Sequence, residues 1–401
     1  MIPTGWIEKR LGEISVVGAG NSAPQGDENF TGGIYPFFRT ADVGRAHFGI
    51  INNSADLLNE EGKTGLKLFK KGTILFPKSG ASTFLNHRVM MDVDGFVVSH
   101  LATITPNESI ISGKYLLYYL STIDSKTLIQ DQSYPSLNLP IISSINVKCP
   151  EDIKEQQRIV EKLDTLFADI EKEKQIAQQN LQNAKELFES ELHKLFTENT
   201  DGWEEKQLGE ICNIAIGKTP SRGSKAFWDT ELQTNNTWLS IADLNSAKNK
   251  IVDTSTERIS NKALPLMTLV SKGTLLLSFK LTIGRLAFAG KDLYTNEAIA
   301  QLPIKDGVQI DKYYLYYYLS VFDYETLLKG DVKVKGKSLN KQKLNVLPVS
   351  YPSLSEQQRI VEKLDALQEQ VQKLEQIYTQ QIAGLDELKQ AILKKAFNGE
   401  L

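Results

Sequence analysis

The run GKTPSRGSK (217–225) places Lys218, Thr219, Ser221, Arg222 and Lys225 in a stretch broken by glycine and proline. Such a stretch is a loop, and cations and hydroxyls on a loop grip phosphate oxygens. A second cluster, PKSGASTFLNHR (77–88), follows a strand-like run and offers Lys78, Ser79, Ser82, Thr83, His87 and Arg88. SFKLTIGR (278–285) offers Lys280, Thr282 and Arg285 at the corresponding place in the other half of the chain. Side chains of these types also read base edges in the major groove. Gln130, Gln132, Ser133 and Tyr134 stand just before Ser136-Leu137-Asn138, and a basic loop with Lys333, Lys335 and Lys337 stands just before Ser338-Leu339-Asn340. Matched clusters of this kind in both halves point to nucleic-acid contact.

Signals for catalysis fail one by one. ISVVGAGNSA (14–23) fits the dinucleotide fingerprint, but Pro24 and Gly26 fall where its helix should run. GDVKVKGKS (330–338) resembles a phosphate loop with one residue too many between Gly330 and Gly336, and helix rather than strand precedes it. No nucleophile elbow, H-E-x-x-H or methyltransferase loop is present. Cys149 and Cys212 form no disulfide framework, and His47, His87, His100 and His193 are scattered, so no catalytic, cofactor-binding or metal-binding residue is assigned. A net charge of −3 is unusual for a lone nucleic-acid binder, so the positive charge must be local or supplied by partners.

The elements that position these residues are duplicated. EQQRIVEKLD occurs at 155–164 and again at 356–365. GWIEKRLGEI (5–14) returns as GWEEKQLGEI (202–211), KKGTILF (70–76) as SKGTLLL (271–277), and YLLYYLS (115–121) as YLYYYLS (314–320). A repeat of this length sets the architecture before any local reading. Four segments follow: a mixed domain over 1–150, a helical segment over 151–199, a second mixed domain over 200–351 and a second helical segment over 352–401. The helical segments carry heptad-like stripes: Ile159, Leu163, Leu166, Ile170, Ala177, Leu181, Ala184, Phe188 and Leu195 in the first, and Ile360, Leu364, Leu367, Val371, Leu374, Tyr378, Leu385, Leu388 and Ile392 in the second. Asp152 with Glu155, and Ser355 with Gln358, provide start signals. A helix of about 45 residues is about 65 Å long and cannot bury its stripe alone. The fold class expected is α+β: two mixed domains and two long antiparallel helices forming a coiled coil, arranged as a dumbbell with a pseudo-twofold axis. No stretch approaches a membrane span, and the N-terminus has no apolar signal core, so the expected location is cytoplasmic.

With these residues in view, the chain resembles the specificity subunit of type I restriction–modification enzymes. PSLSEQQRIVEKLD (352–365), its echo at 150–164, the G-W-x-x-K-x-L-G-E-I openings and the terminal KQAILKKAFNGEL carry the resemblance over the whole chain. It implies two target recognition domains, each reading one half of a bipartite double-stranded DNA site, and helices that fix the gap. It implies docking of two modification subunits that bind S-adenosylmethionine and methylate adenine, and of two restriction subunits that use ATP and Mg. The resemblance places no catalytic residue and no cofactor on the specificity chain itself. The alternatives are a related restriction–modification system with different subunit organisation, or a nucleotide-dependent enzyme acting through 330–338. The opening VGAGNSAPQG departs from the GKTPSR pattern, so no DNA contact is assigned there.

Overall fold

A computed structural model describes residues 3–129, 135–198, 200–328 and 339–401. The chain divides into two compact units, 1–179 with 378–401, and 180–377. Each unit therefore takes a mixed domain, part of one long helix (Ile153–Thr197) and part of the other (Leu354–Phe397).

In the first unit a five-stranded sheet runs in the order Ser15–Ala19, Leu101–Pro106, Ile74–Pro77, Arg88–Met91, Phe48–Ile51, antiparallel except for the last pair. The second unit repeats it with Ala215–Ile216, Ile299–Leu302, Leu275–Ser278, Leu286–Ala289 and Ile251–Val252, again with a parallel last pair. Alternation along the central strand explains why Ile74-Leu75-Phe76 and Leu275-Leu276-Leu277 are apolar without a break. Ile74 and Phe76 face the core shared with the helices, and Leu75 faces a separate core with Val89 and Leu101. Leu275 and Leu277 part from Leu276 in the same way. The opening words form Trp6–Arg10 and Glu204–Gln207, which pair with Asn146–Pro150 and Pro348–Tyr351, so each mixed domain ends where it began.

The repeated words are the joints between each sheet domain and its helix. Gln156 and Gln357 have no solvent exposure. Gln156 accepts from the Ser112 N–H at 2.9 Å and donates to the carbonyls of Pro150 at 2.8 Å and Ile110 at 3.1 Å. Gln357 does the same with the Asp311 N–H at 2.8 Å, Pro352 at 2.9 Å and Gln309 at 3.1 Å. Asp164 accepts from the Tyr118 hydroxyl and from Lys114 Nζ at 2.8 Å, while Asp365 accepts from Tyr317 at 2.6 Å and Lys250 Nζ at 2.7 Å. Two further tyrosines of each word are matched as well, while Tyr316 stands where the first word has Leu117. Tyr115 and Tyr119 donate to the Lys148 and Asn146 carbonyls, and Tyr314 and Tyr318 to those of Ser350 and Pro348. Ile159, Val160 and Leu163, like Ile360, Val361 and Leu364, are buried beneath them.

Within each unit the two helix segments run antiparallel. In the first, Arg158 meets the Leu401 carbonyl at 2.8 Å and Lys174 meets Asp386 at 2.8 Å, so one helix descends as the other rises. In the second, Lys363 pairs with Glu191. The phenylalanines at the helix ends close each core: Phe397 packs on Tyr115 and Tyr119, and Phe196 on Tyr314 and Tyr318. Two helix expectations are corrected. Leu388, assigned to the stripe, is 48% exposed, and burial passes instead to Leu393, Ala396 and Phe397. Beyond Gln381, the polar residue at the heptad position, Leu385 and Ile392 still pack against the core. Ser355 lies inside the helix beginning at Leu354, so it cannot serve as the N-cap; Ser353, whose carbonyl accepts from Gln357 N–H, stands just outside. At the first helix Asp152 does accept from the Lys154 N–H, at 2.9 Å. No helix among the described residues is long and apolar enough to cross a membrane.

Candidate nucleic-acid interface

In the second unit the 217–225 loop is held from beneath by two indoles. Trp238 Nε1 donates to the Lys218 carbonyl at 3.0 Å and Trp228 Nε1 to the Ser221 carbonyl at 3.1 Å. Arg222 lies over both rings, 4.0 Å from the centroid of Trp228 and 4.8 Å from that of Trp238, and pairs with Glu257, whose hydrogen bond, more than its charge, raises the guanidinium's affinity for its proton. Gly217 is required by close approach: a Cβ there would stand 2.2 Å from the Asn296 carbonyl oxygen. The loop is thereby pressed onto the turn that follows Tyr294–Thr295. Glu297 on that turn accepts from the Thr219 hydroxyl. Partial burial pushes its carboxyl up, but the Thr219 hydrogen bond and the charges of Lys280 and Arg222 outweigh this and leave it below the usual range. Thr219 thus bonds this carboxylate, and Lys280 and Arg222, from two separate loops, are near enough for their charges to act on it. Lys218, Ser221 and Thr282 are exposed beside them, and Arg285 is half-buried with its N–H on Ser278 Oγ at 3.0 Å.

The first unit joins the loop after its central strand and the turn at 98–100 to a third segment, the entry to Ser136-Leu137-Asn138, as Phe279 bonds both Ala298 and Leu339 in the second. The Lys78 N–H donates to the His100 carbonyl at 3.0 Å, and the Lys78 carbonyl accepts from Leu137 at 2.8 Å. Ser79 Oγ lies 3.1 Å from His100 Nδ1, Gly80 N–H donates to the Pro135 carbonyl at 3.0 Å, and Ser82 Oγ donates to the Ser79 carbonyl at 3.1 Å. The loop after the central strand, the turn at 98–100 and the entry to Ser136-Leu137-Asn138 therefore come together. Gln130, Gln132, Ser133, Tyr134, Lys333, Lys335 and Lys337 lie outside the described residues.

Two expectations in the first unit are corrected. Arg88 is fully buried, with bonds to the His87 carbonyl and Ser125 Oγ at 2.7 Å each and its guanidinium 3.4 Å from the centroid of Phe76. Burial pushes its pKa down to about 9. The physical reason is register: Arg88 opens the strand Arg88–Met91, as Leu286 opens Leu286–Ala289, so it occupies a core position and does not match Arg285. Thr83 is also fully buried. His87, half-buried, stacks on His47 with ring centroids 4.6 Å apart and lines a cavity with Asp386 and Glu387 of the second long helix.

Sequence reasoning missed Glu297 and His100, single residues with no cluster around them in the chain. The signal lay in the repeat, because each follows a short strand, Phe96–Val97 or Tyr294–Thr295, that pairs in parallel with Tyr35–Phe38 or Trp238–Leu239. It also set aside the loop at 18–26. Gly20 N–H bonds the Leu101 carbonyl and Asn21 N–H the Val97 carbonyl, as Gly217 and Lys218 bond those of Ile299 and Thr295. A Cβ on Gly20 would stand 2.2 Å from the Val98 carbonyl oxygen. The backbone path is the same although the words differ. The glycine fingerprint at 14–23 serves this crossing, and the first helical turn beyond it, at Asp27–Asn29, is three residues long.

Comparison with known proteins places this arrangement. The family described as type I restriction modification DNA specificity domain matches residues 3–179 and 200–382. The MjaIX specificity subunit of Methanocaldococcus jannaschii is 30% identical over 164 residues, 39% of this chain and 36% of that protein, so the match spans about a third of that relative's length. The EcoDI specificity subunit of Escherichia coli is 23% identical across 100% of this chain and 89% of its own. Two solved structures share the fold. One, from work on complex assembly and conformational transition of the type I R-M system, superposes with a TM-score of 0.80 at 21% identity over 100% of both chains. The HsdS subunit from Thermoanaerobacter tengcongensis gives 0.62 at 22% identity over 100% of this chain and 98% of its own. The chain belongs to the type I restriction–modification DNA specificity family, and its five-stranded sheets and long helices have the fold of those solved structures.

Proposed function

We propose that this chain reads a bipartite double-stranded DNA site, each unit recognising one half, with the long helices setting the gap and docking two modification subunits. S-adenosylmethionine belongs to those subunits, and ATP and Mg to two restriction subunits that join them; this chain performs recognition without chemistry of its own, in the cytoplasm. The reading rests on one observation above all. In both units the same three segments of a duplicated scaffold meet at one end of the five-stranded sheet, yet they present different side chains. Ser79 stands in the first unit where Lys280 stands in the second, and His100, whose carbonyl accepts from the Lys78 N–H, stands where Ala298 accepts from the Phe279 N–H. Equal scaffolds with unequal tips suit two unlike half-sites. The near-neutral charge leaves part of the phosphate grip to the partners.

Methylome sequencing of cells expressing the chain with an adenine methyltransferase subunit encoded beside it tests this. The expected result is one split motif with a fixed gap. Inserting a helical turn within 172–189 should lengthen the gap and keep both half-sites. A single uninterrupted motif, or a change of bases on insertion, would overturn the proposal.

A further inference from the structure

We propose that Leu281 is a wedge that enters between stacked base pairs of the half-site read by the second unit; this rests on the DNA-reading function above. Leu281 sits at the tip of the hairpin joining Leu275–Ser278 to Leu286–Ala289 and is 70% exposed. Its φ is +63°, a left-handed conformation that a leucine avoids. Exposure of a large apolar side chain and a disfavoured backbone thus coincide at one residue.

The turn holds Leu281 there. Ser278 is fully buried; its hydroxyl donates to the Thr282 carbonyl and accepts from the Arg285 N–H at 3.0 Å, and its carbonyl accepts from Gly284 at 3.0 Å. On the other side Phe279, also fully buried, donates to the Ala298 carbonyl at 3.0 Å and accepts from Leu339 at 2.9 Å. Strained conformations persist where surrounding bonds over-determine them, and they gather at working sites. Leu281 is flanked in the chain by Lys280 and Thr282. A stiff apolar tip beside a cation and a hydroxyl is complementary to one class of partner: stacked apolar bases between anionic backbones. Leucine is among the side chains that proteins insert at base steps, unstacking and bending the duplex.

The test uses the full chain alone, so that no methyltransferase subunit can extrude a base. Wild type first selects its site from random-sequence duplexes. 2-Aminopurine is then placed at successive positions of each half-site, and its fluorescence reports unstacking. Wild type should brighten one position of one half-site several-fold. Leu281→Ala and Leu281→Gly should abolish that signal and weaken binding to the same duplex about tenfold, the scale of losing a wedge. Leu281→Gly relieves the backbone, so its melting temperature should equal or exceed that of wild type, which separates loss of the wedge from loss of fold. An undiminished signal in Leu281→Ala would overturn the proposal. So would a wild type with no bright position, or a tenfold loss reproduced by replacing one thymine with uracil, which would make Leu281 a methyl reader. Failure of wild type to select any split site would count against the DNA-reading function instead.

Discussion

Replacing Gln156 by alanine cuts the main polar tie between the first mixed domain and its long helix. The side chain has no exposure and makes three hydrogen bonds, at 2.9, 2.8 and 3.1 Å, all to backbone groups. Each bond left unmade in a buried place costs about 1–3 kcal/mol. Water entering the vacated space restores part of this, so the net loss should be about 3 kcal/mol. At 1.4 kcal/mol per factor of ten, that is roughly a hundredfold rise in local opening. Native-state hydrogen exchange reads it directly, because the Ser112 amide is one of the orphaned groups. Peptides containing Ser112 should exchange about a hundredfold faster in Gln156→Ala, while peptides containing Asp311 keep their wild-type rate. Gln357→Ala should give the reverse, since the Asp311 N–H bonds Gln357 at 2.8 Å. Global melting is a poorer measure, as a chain of two units need not unfold in one step. A change under about threefold at Ser112 would refute the view that this glutamine secures the joint.

Arg88→Ala should lower stability to urea by about 3 kcal/mol, because it empties a core position and orphans its partners, while changing DNA affinity of the folded protein less than about threefold. Arg88→Met keeps the volume and removes a buried charge, and should cost less than Arg88→Ala. Loss of binding without loss of stability would restore Arg88 to the interface. Burial pushes the Cys149 thiol up to about 11 and the Cys212 thiol up to about 12, from 9. Above pH 9 the unfolded chain releases both protons while the folded chain keeps them, so stability falls as pH rises toward 11, by up to about 2.7 kcal/mol per unit for the pair. The slope of urea stability between those values should flatten in Cys149→Ala/Cys212→Ala; an unchanged slope would contradict the assignment.

The sequence exposes the scaffold and hides the tips, for physical reasons. Repeated words announce the joints because every joint needs the same groups: a glutamine to satisfy three backbone atoms, an aspartate to receive a tyrosine, apolar residues at helical spacing. The reading end needs only polarity, so its residues look like any solvated loop until the chain is folded. Arg88 shows how a motif misleads when register is not counted from the strand. Charge and proximity to Ser79 suggest a contact, but its place at the start of a core strand decides otherwise. Gly20 shows the reverse error. VGAGNSA and GKTPSR share one backbone crossing, and the shared requirement is a single hydrogen atom in place of Cβ. Glu297 carries no motif at all; its neighbours Thr219 and Lys280 come from 78 and 17 residues away in sequence.

The joints bear on how freely recognition can be exchanged. Gln156 grips the Ser112 N–H and the Ile110 and Pro150 carbonyls, and Gln357 grips the same three kinds of atom, so neither depends on the side chains of the domain it holds. The side-chain term is also lenient. Asp164 takes its cation from Lys114, on the helix Gly113–Ser121, whereas Asp365 takes its cation from Lys250, beside the strand Ile251–Val252. What the helix asks of a recognition domain is therefore a backbone path, the tyrosine that meets the aspartate and a lysine that can arrive from either place. A foreign recognition domain that meets those terms, exchanged for residues 1–150, should seat on the first helix with the wild-type protection at Ser112 and should change one half-site alone. If such a chimaera folds with that amide unprotected, or alters both half-sites, the joint depends on side-chain matching that the backbone bonds do not reveal.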